Sequence, residues 1–368
     1  MKRRYKILGT VVLVLCIAVT AMAIVLSHTS ACPPSPALVD GAERMRAIVY
    51  RCYGPPEVLK LEAVEKPVPA DDRVLVRVRA ASVNPLDWHY LRGEPYVMRL
   101  SSGLGAPEDI TMGVDFAGTV TAVGNGVTNF KPGDEVFGGT GGAFAEYVAV
   151  RASRAIVHKP PNVGFEEAAA VPIAAVTALQ ALRDKGELKP GQNVLINGAS
   201  GGVGTFAVQI AKSLGAEVTG VCSTRNVSMV RSIGADHVID YTQQDFTQGT
   251  ERYDLIIDNV GNHGLLAVRR VMQPDGIYVG VGGPNDNRWV GPLLGPLKAS
   301  LLAPFVSQEF RSLLADLNQA DLEFLRDLMA AGKLTAVIDR RYPLAETPAA
   351  IAYVETGRAR GKVMVTVD

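Results

Sequence analysis

The sequence predicts an α/β protein in which a doubly wound parallel sheet follows a mostly antiparallel β domain, with an N-terminal apolar helix in front of both. Three observations support this fold class. A glycine-rich turn at 198–204 lies between a β-type apolar run and a helical pattern. From residue 165 onward such runs alternate with helical patterns, whereas before it apolar and polar residues alternate with a period of two.

An uncharged apolar run at 7–26 follows four basic residues within 2–6. As a helix it would span about 30 Å, the thickness of a bilayer's hydrocarbon core. We therefore predict a single-pass transmembrane anchor at 1–26. Two alternatives stay open: a cleaved secretory signal, although signal cores are usually about 7–15 residues long, and a lipoprotein signal modified at Cys32.

Residues 27–45 are predicted to be a linker, because Pro33, Pro34 and Pro36 disfavour a helix. The β domain follows at 46–165. Its strands are expected at 45–50, 74–79, 118–123, 136–138 and 143–150, with a tight turn at 131–134.

The parallel sheet is predicted over 166–339, beginning with a helix at 166–182. Its strands are expected at 194–197, 217–222, 237–240, 254–259, 277–281 and 336–339. The last predicted helix is followed by a strand at 362–367, and no helix follows that strand. We expect this end, 340–368, to return to the β domain and complete it.

Bulk composition argues against two classes of protein. Hydrophobic residues make up 48% and charged residues 20%, which excludes wholesale disorder. Lys+Arg and Asp+Glu are equal at 37 each, which argues against nucleic acid as a partner. The cysteines, at 16, 32, 52 and 222, lack C-x-x-C spacing, so the sequence predicts neither a disulfide framework nor a zinc set.

The turn at 198–204 is predicted to hold the pyrophosphate of a dinucleotide. Glycines let the backbone approach the phosphates, and the following helix offers free N–H groups and the positive end of its dipole. An ordinary βα turn is the alternative, because a glycine motif alone is weak evidence. The candidate residues are Gly198, Ser200, Gly201, Gly202, Val203 and Gly204.

The end of the second strand indicates which dinucleotide is bound. An NAD-selective fold carries Asp or Glu there to bind the ribose 2′-hydroxyl. This chain has Ser223, Thr224 and Arg225, whose hydroxyls and guanidinium suit a 2′-phosphate. We predict NADP(H), with a solvated loop as the alternative.

Together these motifs resemble the medium-chain dehydrogenase/reductase superfamily over nearly all of 46–368. The matching segments are 118–124, 130–136, 198–204, 234–240, 258–261 and 361–365. The resemblance implies a GroES-like β domain, a Rossmann NADP-binding domain and an active site in the cleft between them.

Zinc enzymes of this superfamily carry an early ligand cysteine and a later Gly-His-Glu. This chain has Asn84 at the first place and Gly113-Val-Asp115 at the second. Because Asn and Val supply poor zinc ligands, the chain resembles the zinc-independent branch of quinone oxidoreductases, zeta-crystallin and alkenal or enone reductases. Asp115 is expected to be structural, and no metal is predicted.

The resemblance implies hydride transfer from NADPH to a quinone or to an α,β-unsaturated carbonyl compound. Asn84 is the candidate hydrogen-bond donor to the substrate oxygen, with Asp87 and His89 as further catalytic candidates. Their alternatives are a local turn, a brace of that turn, and a stacked or capping histidine. Further cofactor contacts are predicted at Thr177, Tyr241, Asn259, Gly261 and Lys362. A helix-interior threonine and a solvated lysine are the alternatives for the first and last of these.

Two other functions stay open: a zinc-independent NADP-dependent alcohol or carbonyl dehydrogenase, and a non-catalytic NADPH-binding membrane-associated protein. The basic residues before 7–26 predict the domain outside the cytoplasm, whereas NADPH is expected inside it, so the side of the membrane stays open. The apolar stretch 289–306 is broken by Pro and Gly. It is predicted to be a pocket wall or a homodimer contact, with contact to a membrane surface as the alternative.

Overall fold

The computed structural model describes residues 2–36, 41–283, 287–291 and 306–367, together with positions 295, 299 and 302. Its first element is α1 (Lys2–Ser27). The window Thr10–Ser27 of this helix is only 6% buried and is long and apolar enough to cross a membrane, a test that a signal sequence also passes. Its apolar side chains therefore face away from the rest of the chain.

The segment after α1 lies on the β domain instead of forming a free linker. The Ser30 N–H donates to the Gly105 carbonyl at 2.8 Å. Cys32 and Cys52 form a disulfide with their Cα atoms 4.9 Å apart. The spacing of the cysteines predicts no disulfide framework, and this prediction missed the one pair. The pair could not be predicted from the sequence, because only the packing of this segment against the domain brings the two residues together.

The β domain combines antiparallel strands with two short helices. In chain order these are β1 (Arg44–Val49), β2 (Lys60–Glu65), β3 (Arg73–Val83), α2 (Pro85–Arg92), α3 (Arg99–Ser102), β4 (Asp115–Val123), β5 (Glu135–Gly139), β6 (Tyr147–Arg151) and β7 (Ile156–His158).

The second domain alternates strands with helices. It contains α4 (Phe165–Ala169), α5 (Pro172–Gln180), β8 (Asn193–Asn197), α6 (Gly202–Ser213), β9 (Glu217–Cys222), α7 (Val227–Ser232), β10 (His237–Asp240), β11 (Tyr253–Asp258), α8 (Leu265–Arg269), β12 (Met272–Gly280), β13 (Glu309–Ser312) and α9 (Gln319–Ala330). The chain then returns through β14 (Ile338–Pro343), α10 (Thr347–Glu355) and β15 (Lys362–Thr366).

The Rossmann-like sheet is parallel, in the order β10-β9-β8-β11-β12-β13. This is the doubly wound order, with its reversal between β8 and β11. The side chains of Val194, Leu195 and Ile196 are fully buried. A strand covered by helices on both faces needs such a continuous apolar run.

The strand predicted at 336–339 does not belong to this sheet. Its sixth strand is β13, which pairs with β12. β14 instead pairs with β15, and β15 runs antiparallel to β3 in the larger sheet of the β domain, ordered β14-β15-β3-β4-β5-β7. The error has a physical reason: β13 reads Glu-Phe-Arg-Ser, a short edge strand without the apolar run that marked the others.

Most of the stretch 289–306 lies outside the described residues. Where it is described, Trp289 packs edge-on against Tyr96, with ring centroids 5.1 Å apart. Its predicted role as a pocket wall or dimer contact stays a prediction.

Candidate active site

The glycine turn closes tightly at the carboxyl end of β8. Gly198 has a φ of +77°, which favours glycine. A Cβ at Gly204 would lie 2.1 Å from the Gly198 carbonyl oxygen, so only glycine fits there. α6 begins at Gly202, and the first N–H groups of a helix have no acceptor within it. The turn can therefore present free N–H donors to phosphate oxygens.

Two buried oxygens beside this turn have no hydrogen-bond partner among the described residues: Asn226 Oδ1 and Asn259 Oδ1. The Asn259 amide nitrogen donates to the Asn197 carbonyl at 2.9 Å, and that of Asn226 donates to Ser200 Oγ at 3.0 Å. A buried acceptor left unpaired costs about 1–3 kcal/mol. Both oxygens fit a ligand that carries N–H and O–H donors, as a dinucleotide does.

A carboxylate that was not among the predicted site residues, Asp240 at the end of β10, lies beside the end of β9. Thr224 Oγ1 donates to Asp240 Oδ2 at 2.6 Å, because β10 lies next to β9 and ends at the same edge. Arg225 is exposed and donates to the Arg358 carbonyl at 2.7 Å. One guanidinium and one carboxylate therefore flank the expected place of the 2′-phosphate. The parallel strand order was the signal that could have identified Asp240.

A second group of polar residues is buried in the β domain, next to the glycine turn. Asn84, Asp115 and Lys362 are each at most 2% exposed. The Lys362 ammonium donates to Asn84 Oδ1 at 2.6 Å and lies 3.5 Å from Asp115 Oδ2. Asp115 also accepts from Ser82 Oγ, from the Asn84 amide and from the Ile173 N–H, at 2.8, 2.9 and 3.0 Å. We call Asn84, Asp115 and Lys362 the polar triad.

The orientation of the Asn84 amide follows from these contacts. An ammonium can only donate, so the atom facing Lys362 must be the amide oxygen. Both N–H groups then point inward, to Asp115 Oδ2 at 2.9 Å and to the Ser82 carbonyl at 3.4 Å. In this arrangement both N–H donors of Asn84 already have acceptors. Donation from Asn84 to a substrate oxygen stays a prediction.

Lys362 connects the triad to the glycine turn. The preceding Gly361 N–H donates to the Ser200 carbonyl at 2.8 Å. A Cβ at Gly202 would lie 3.2 Å from Lys362 Cδ, so the lysine stem passes along the start of α6. Lys362 is buried, so the alternative of a solvated lysine is wrong, and its ammonium contacts Asn84 and Asp115. Its contact with the cofactor stays a prediction.

Burial shifts the titration of two groups here. It lowers the pKa of Lys362, opposed by the nearby carboxylates of Asp115 and Asp87. It raises the pKa of Asp87 to about 7, with the Asn84 N–H opposing and the Asp115 charge adding to the shift. Removal from water disfavours the charged form of each group. The site is therefore shielded from solvent, and charges interact strongly in it.

Asp87 and His89 make the local contacts that their structural alternatives predict, a brace of the turn and a stacked histidine. Asp87 Oδ2 accepts from the Asn84 N–H at 2.7 Å and so caps α2. His89 stacks on Trp88, and its Nδ1 lies 2.7 Å from the Glu94 carbonyl. A carbonyl only accepts, so Nδ1 carries the proton and Nε2 of the neutral ring is an acceptor. Burial lowers the pKa of His89, which favours this neutral form.

Among the remaining candidates, Thr177 lies within α5 and the others follow strands at the carboxyl edge of the sheet. Thr177 Oγ1 donates to the Ile173 carbonyl at 2.7 Å within its own helix, which matches its alternative. Tyr241 is exposed directly after β10, where it could border an adenosine. Gly261 has a φ of +69°, and its N–H donates to Asp258 Oδ1. The Ser223 hydroxyl accepts from the Asn226 amide at 3.3 Å.

The residues at the triad do not fit a zinc ion. Catalytic zinc is held by three protein ligands from Cys, His and carboxylates. Here an ammonium lies between an amide oxygen and a carboxylate. Among the described residues, no group of three or more His, Cys, Asp or Glu side chains is placed to hold a metal.

Two family models match separate parts of the chain. Residues 70–161 match the family described as alcohol dehydrogenase GroES-like domain, and residues 233–365 match the one described as zinc-binding dehydrogenase. The second description names a metal that the triad does not fit.

Individual relatives cover nearly the whole chain. A chloroplast envelope quinone oxidoreductase homolog of Arabidopsis thaliana is 34% identical over 339 residues, which are 87% of this chain and 98% of that protein. A 2-methylene-furan-3-one reductase of Solanum lycopersicum is 33% identical, over 87% and 79% of the two chains. The structure of the quinone oxidoreductase from Coxiella burnetii superposes with a TM-score of 0.78 at 31% identity, over 89% and 100%.

Proposed function

The chain belongs to the medium-chain dehydrogenase/reductase superfamily, among its NAD(P)H-dependent quinone and enone oxidoreductases, and we propose that it reduces a quinone or an α,β-unsaturated carbonyl with NADPH and without a catalytic metal. The observation that carries this proposal is the position of Lys362. Its backbone neighbour binds the glycine turn, and its ammonium lies in the polar triad. The cofactor cradle and the buried charge therefore adjoin.

We propose that Gly198, Ser200, Gly201, Gly202, Val203 and Gly204 hold the pyrophosphate, with Asn259 and Gly261 beside the nicotinamide end. Ser223 and Arg225 would bind the ribose phosphate, and Thr177 and Tyr241 would border the cofactor. When bound, NADPH supplies a hydride and becomes NADP⁺, and one proton from the medium completes the hydroquinone or the saturated carbonyl.

The triad has an electrostatic role in this proposal. Negative charge develops on the substrate oxygen during reduction, and a fixed positive charge in a dry site stabilises it. The Lys362 ammonium is such a charge, and Asn84 and Asp115 hold it in place. Asp87 fixes the Asn84 backbone at the start of α2.

An NADPH-oxidation assay tests this function. Purified full-length protein is given quinones, enones and saturated aldehydes, alongside the Asn84→Ala variant. We expect turnover of quinones or enones, none of saturated aldehydes, and a lower rate for the variant. Equal rates for the two proteins would remove Asn84 from the mechanism, and turnover of aldehydes alone would favour an alcohol or carbonyl dehydrogenase.

We further propose that α1 anchors the protein with its catalytic domains on the non-cytoplasmic side. The basic residues within 2–6 precede α1, whereas segment 28–43 contains no Lys or Arg, a bias that keeps the N-terminus in the cytoplasm. The Cys32–Cys52 disulfide also favours an oxidising compartment.

Protease treatment of intact cells tests this orientation. We expect digestion of the domains without lysis, and protection until lysis would contradict it. A domain on that side is separated from cytoplasmic NADPH, so the protein purified from membranes should also be assayed for nucleotide that it carries.

A further inference from the structure

One buried guanidinium joins the end of the anchor helix to the end of the active-site helix. Arg99 Nη1 donates to the Leu26 and His28 carbonyls, at 3.1 and 2.7 Å, where α1 ends. Its Nε and Nη2 donate to the Gly93 and Arg92 carbonyls, at 2.8 and 3.2 Å, where α2 ends. Arg99 is 2% exposed. The two helix ends are therefore fixed to each other within the span of one side chain.

This junction determines which part of the domain faces a membrane. If α1 spans a bilayer, its last turn at Ser27 lies at the bilayer surface. The disulfide and the Ser30–Gly105 hydrogen bond hold the following segment on the same side of the domain. The carboxyl end of α2, which carries His89, then lies at that surface as well.

The surface around the junction exposes apolar side chains. Leu100 and Leu104 lie one and five residues after Arg99 and are 61% and 56% exposed. Trp289, 45% exposed, lies close by, because the Tyr96 and Val97 N–H groups donate to the Arg288 and Trp289 carbonyls. Leucines and an interfacial tryptophan beside a membrane anchor are the side chains that enter a lipid headgroup region. We call Leu100, Leu104 and Trp289 the lipid-facing patch.

A small pocket lies between α2 and segment 287–291, which carries Trp289. It is lined by Trp88, His89, Glu94 and Arg288, among others. The Glu94–Arg288 ion pair lies at its edge, with Nε 2.9 Å from Oε1. The pocket therefore lies beside the segment that carries Trp289 and reaches Trp88 and His89 on α2, the helix that begins next to Asn84.

We propose that the substrate is a membrane-dissolved quinone or enone with a long apolar tail, which enters from the bilayer across the lipid-facing patch and past His89. The proposal rests on the proposed reductase function and on α1 as an anchor. It adds the substrate class and the route of entry. The partner of the patch is the lipid bilayer.

Turnover in vesicles tests the route. Full-length protein is reconstituted in phosphatidylcholine vesicles with either an isoprenoid-tailed benzoquinone in the membrane or the same head group without a tail in water. A Leu100→Glu/Leu104→Glu variant is compared with Leu266→Glu, whose leucine is equally exposed, at 62%, but lies on α8 of the Rossmann-like domain.

We expect the double variant to lose about tenfold in rate with the tailed quinone, which corresponds to about 1.4 kcal/mol, and to keep its rate with the tailless one. Leu266→Glu should keep both rates. If wild type reduces the tailless quinone and not the tailed one, or if the double variant treats both alike, the entry route is overturned and the reductase function stands. If wild type reduces neither, the reductase function itself fails.

Tryptophan fluorescence tests the patch without any turnover. The chain has two tryptophans, so the Trp88→Phe variant reports Trp289 alone. We expect its emission to be quenched by phosphatidylcholine brominated near the headgroup, and less so after Leu100→Glu/Leu104→Glu is added. Emission unaffected by the brominated lipid would overturn the lipid contact whatever the enzyme assays show.

Discussion

Replacing Lys362 by methionine would remove the one charge that links the polar triad to the cofactor turn. Methionine keeps the length and the apolar stem of the side chain, which packs along the start of α6. The change would leave the Asn84 amide oxygen without its 2.6 Å donor. It would also leave the buried Asp115 without the ammonium 3.5 Å away.

The size of the effect follows from what each partner retains. Breaking a buried ion pair from one side costs about 3–5 kcal/mol, but Asp115 keeps three donors, from Ser82, Asn84 and Ile173. The unpaired Asn84 oxygen costs about 1–3 kcal/mol. The removed lysine no longer has to be desolvated, which offsets part of both. We therefore expect a loss of about 2–3 kcal/mol in the free energy of unfolding.

Guanidinium unfolding followed by circular dichroism measures this loss, and a double-mutant cycle assigns it. Asp115→Asn removes the carboxylate that Lys362→Met leaves without its ammonium. The double variant should therefore be more stable than the sum of the two single losses predicts, by about 1–2 kcal/mol. Additive losses, or a Lys362→Met variant as stable as wild type, would refute the pairing.

The same variant separates charge stabilisation from cofactor binding. If the ammonium acts on the substrate oxygen, kcat should fall by at least about tenfold while the KM for NADPH changes less than about twofold, because the glycine turn keeps its own donors. A rise in KM for NADPH with kcat unchanged would instead place Lys362 in the phosphate site.

Four further predictions concern separate parts of the molecule. For Asp87, the pKa of about 7 in the folded protein lies above the ordinary 3.8. Its contribution to stability is therefore complete below about pH 4 and falls as the pH rises to 7, by up to about 1.4 kcal/mol per pH unit. The Asp87→Asn variant should therefore show a weaker pH dependence of the free energy of unfolding between these pH values. Asp240→Asn removes a carboxylate from the expected 2′-phosphate position, and kcat/KM should shift toward NADPH over NADH; an unchanged ratio would count against the assignment. Gly204→Ala would place a Cβ 2.1 Å from a carbonyl oxygen, so nucleotide binding in a fluorescence titration should be lost, while the folded far-UV spectrum is retained if the turn alone adjusts. Unfolded protein that has not been reduced should react with maleimide at two of its four cysteines. The Cys52→Ser variant, which lacks the disulfide, should have a free energy of unfolding lower by about 3 kcal/mol, the value for a loop of this length.

Local patterns were sufficient for five of the six strands of the Rossmann-like sheet. The strands at 217–222 and 237–240 were predicted with the bounds that β9 and β10 have. Buried parallel strands need continuous apolar runs, and a helix beginning at a glycine turn shows an apolar period of its own, so both signals are written in neighbouring residues. The glycine turn itself was identifiable for the same reason.

The edge strand β13 and the returning segment were not predictable in this way. β13 has few apolar residues because an edge strand is only partly buried, and β14 looks like any short strand until its partner is known. The disulfide likewise depends on where segment 28–36 packs.

The amino-acid sequence by itself determined which residues are present for the chemistry: a phosphate turn, a missing zinc set, and Asn84 next to a helix start. Only the tertiary structure decided how they face one another. It turned the Asn84 donors inward, buried Lys362 against Asp115, and joined the anchor to α2 through Arg99. Apart from the bond between Arg99 and Gly93, these contacts link residues 31 to 278 positions apart along the chain. Sequence periodicity reports only neighbours within a few residues, so it carries no information about them.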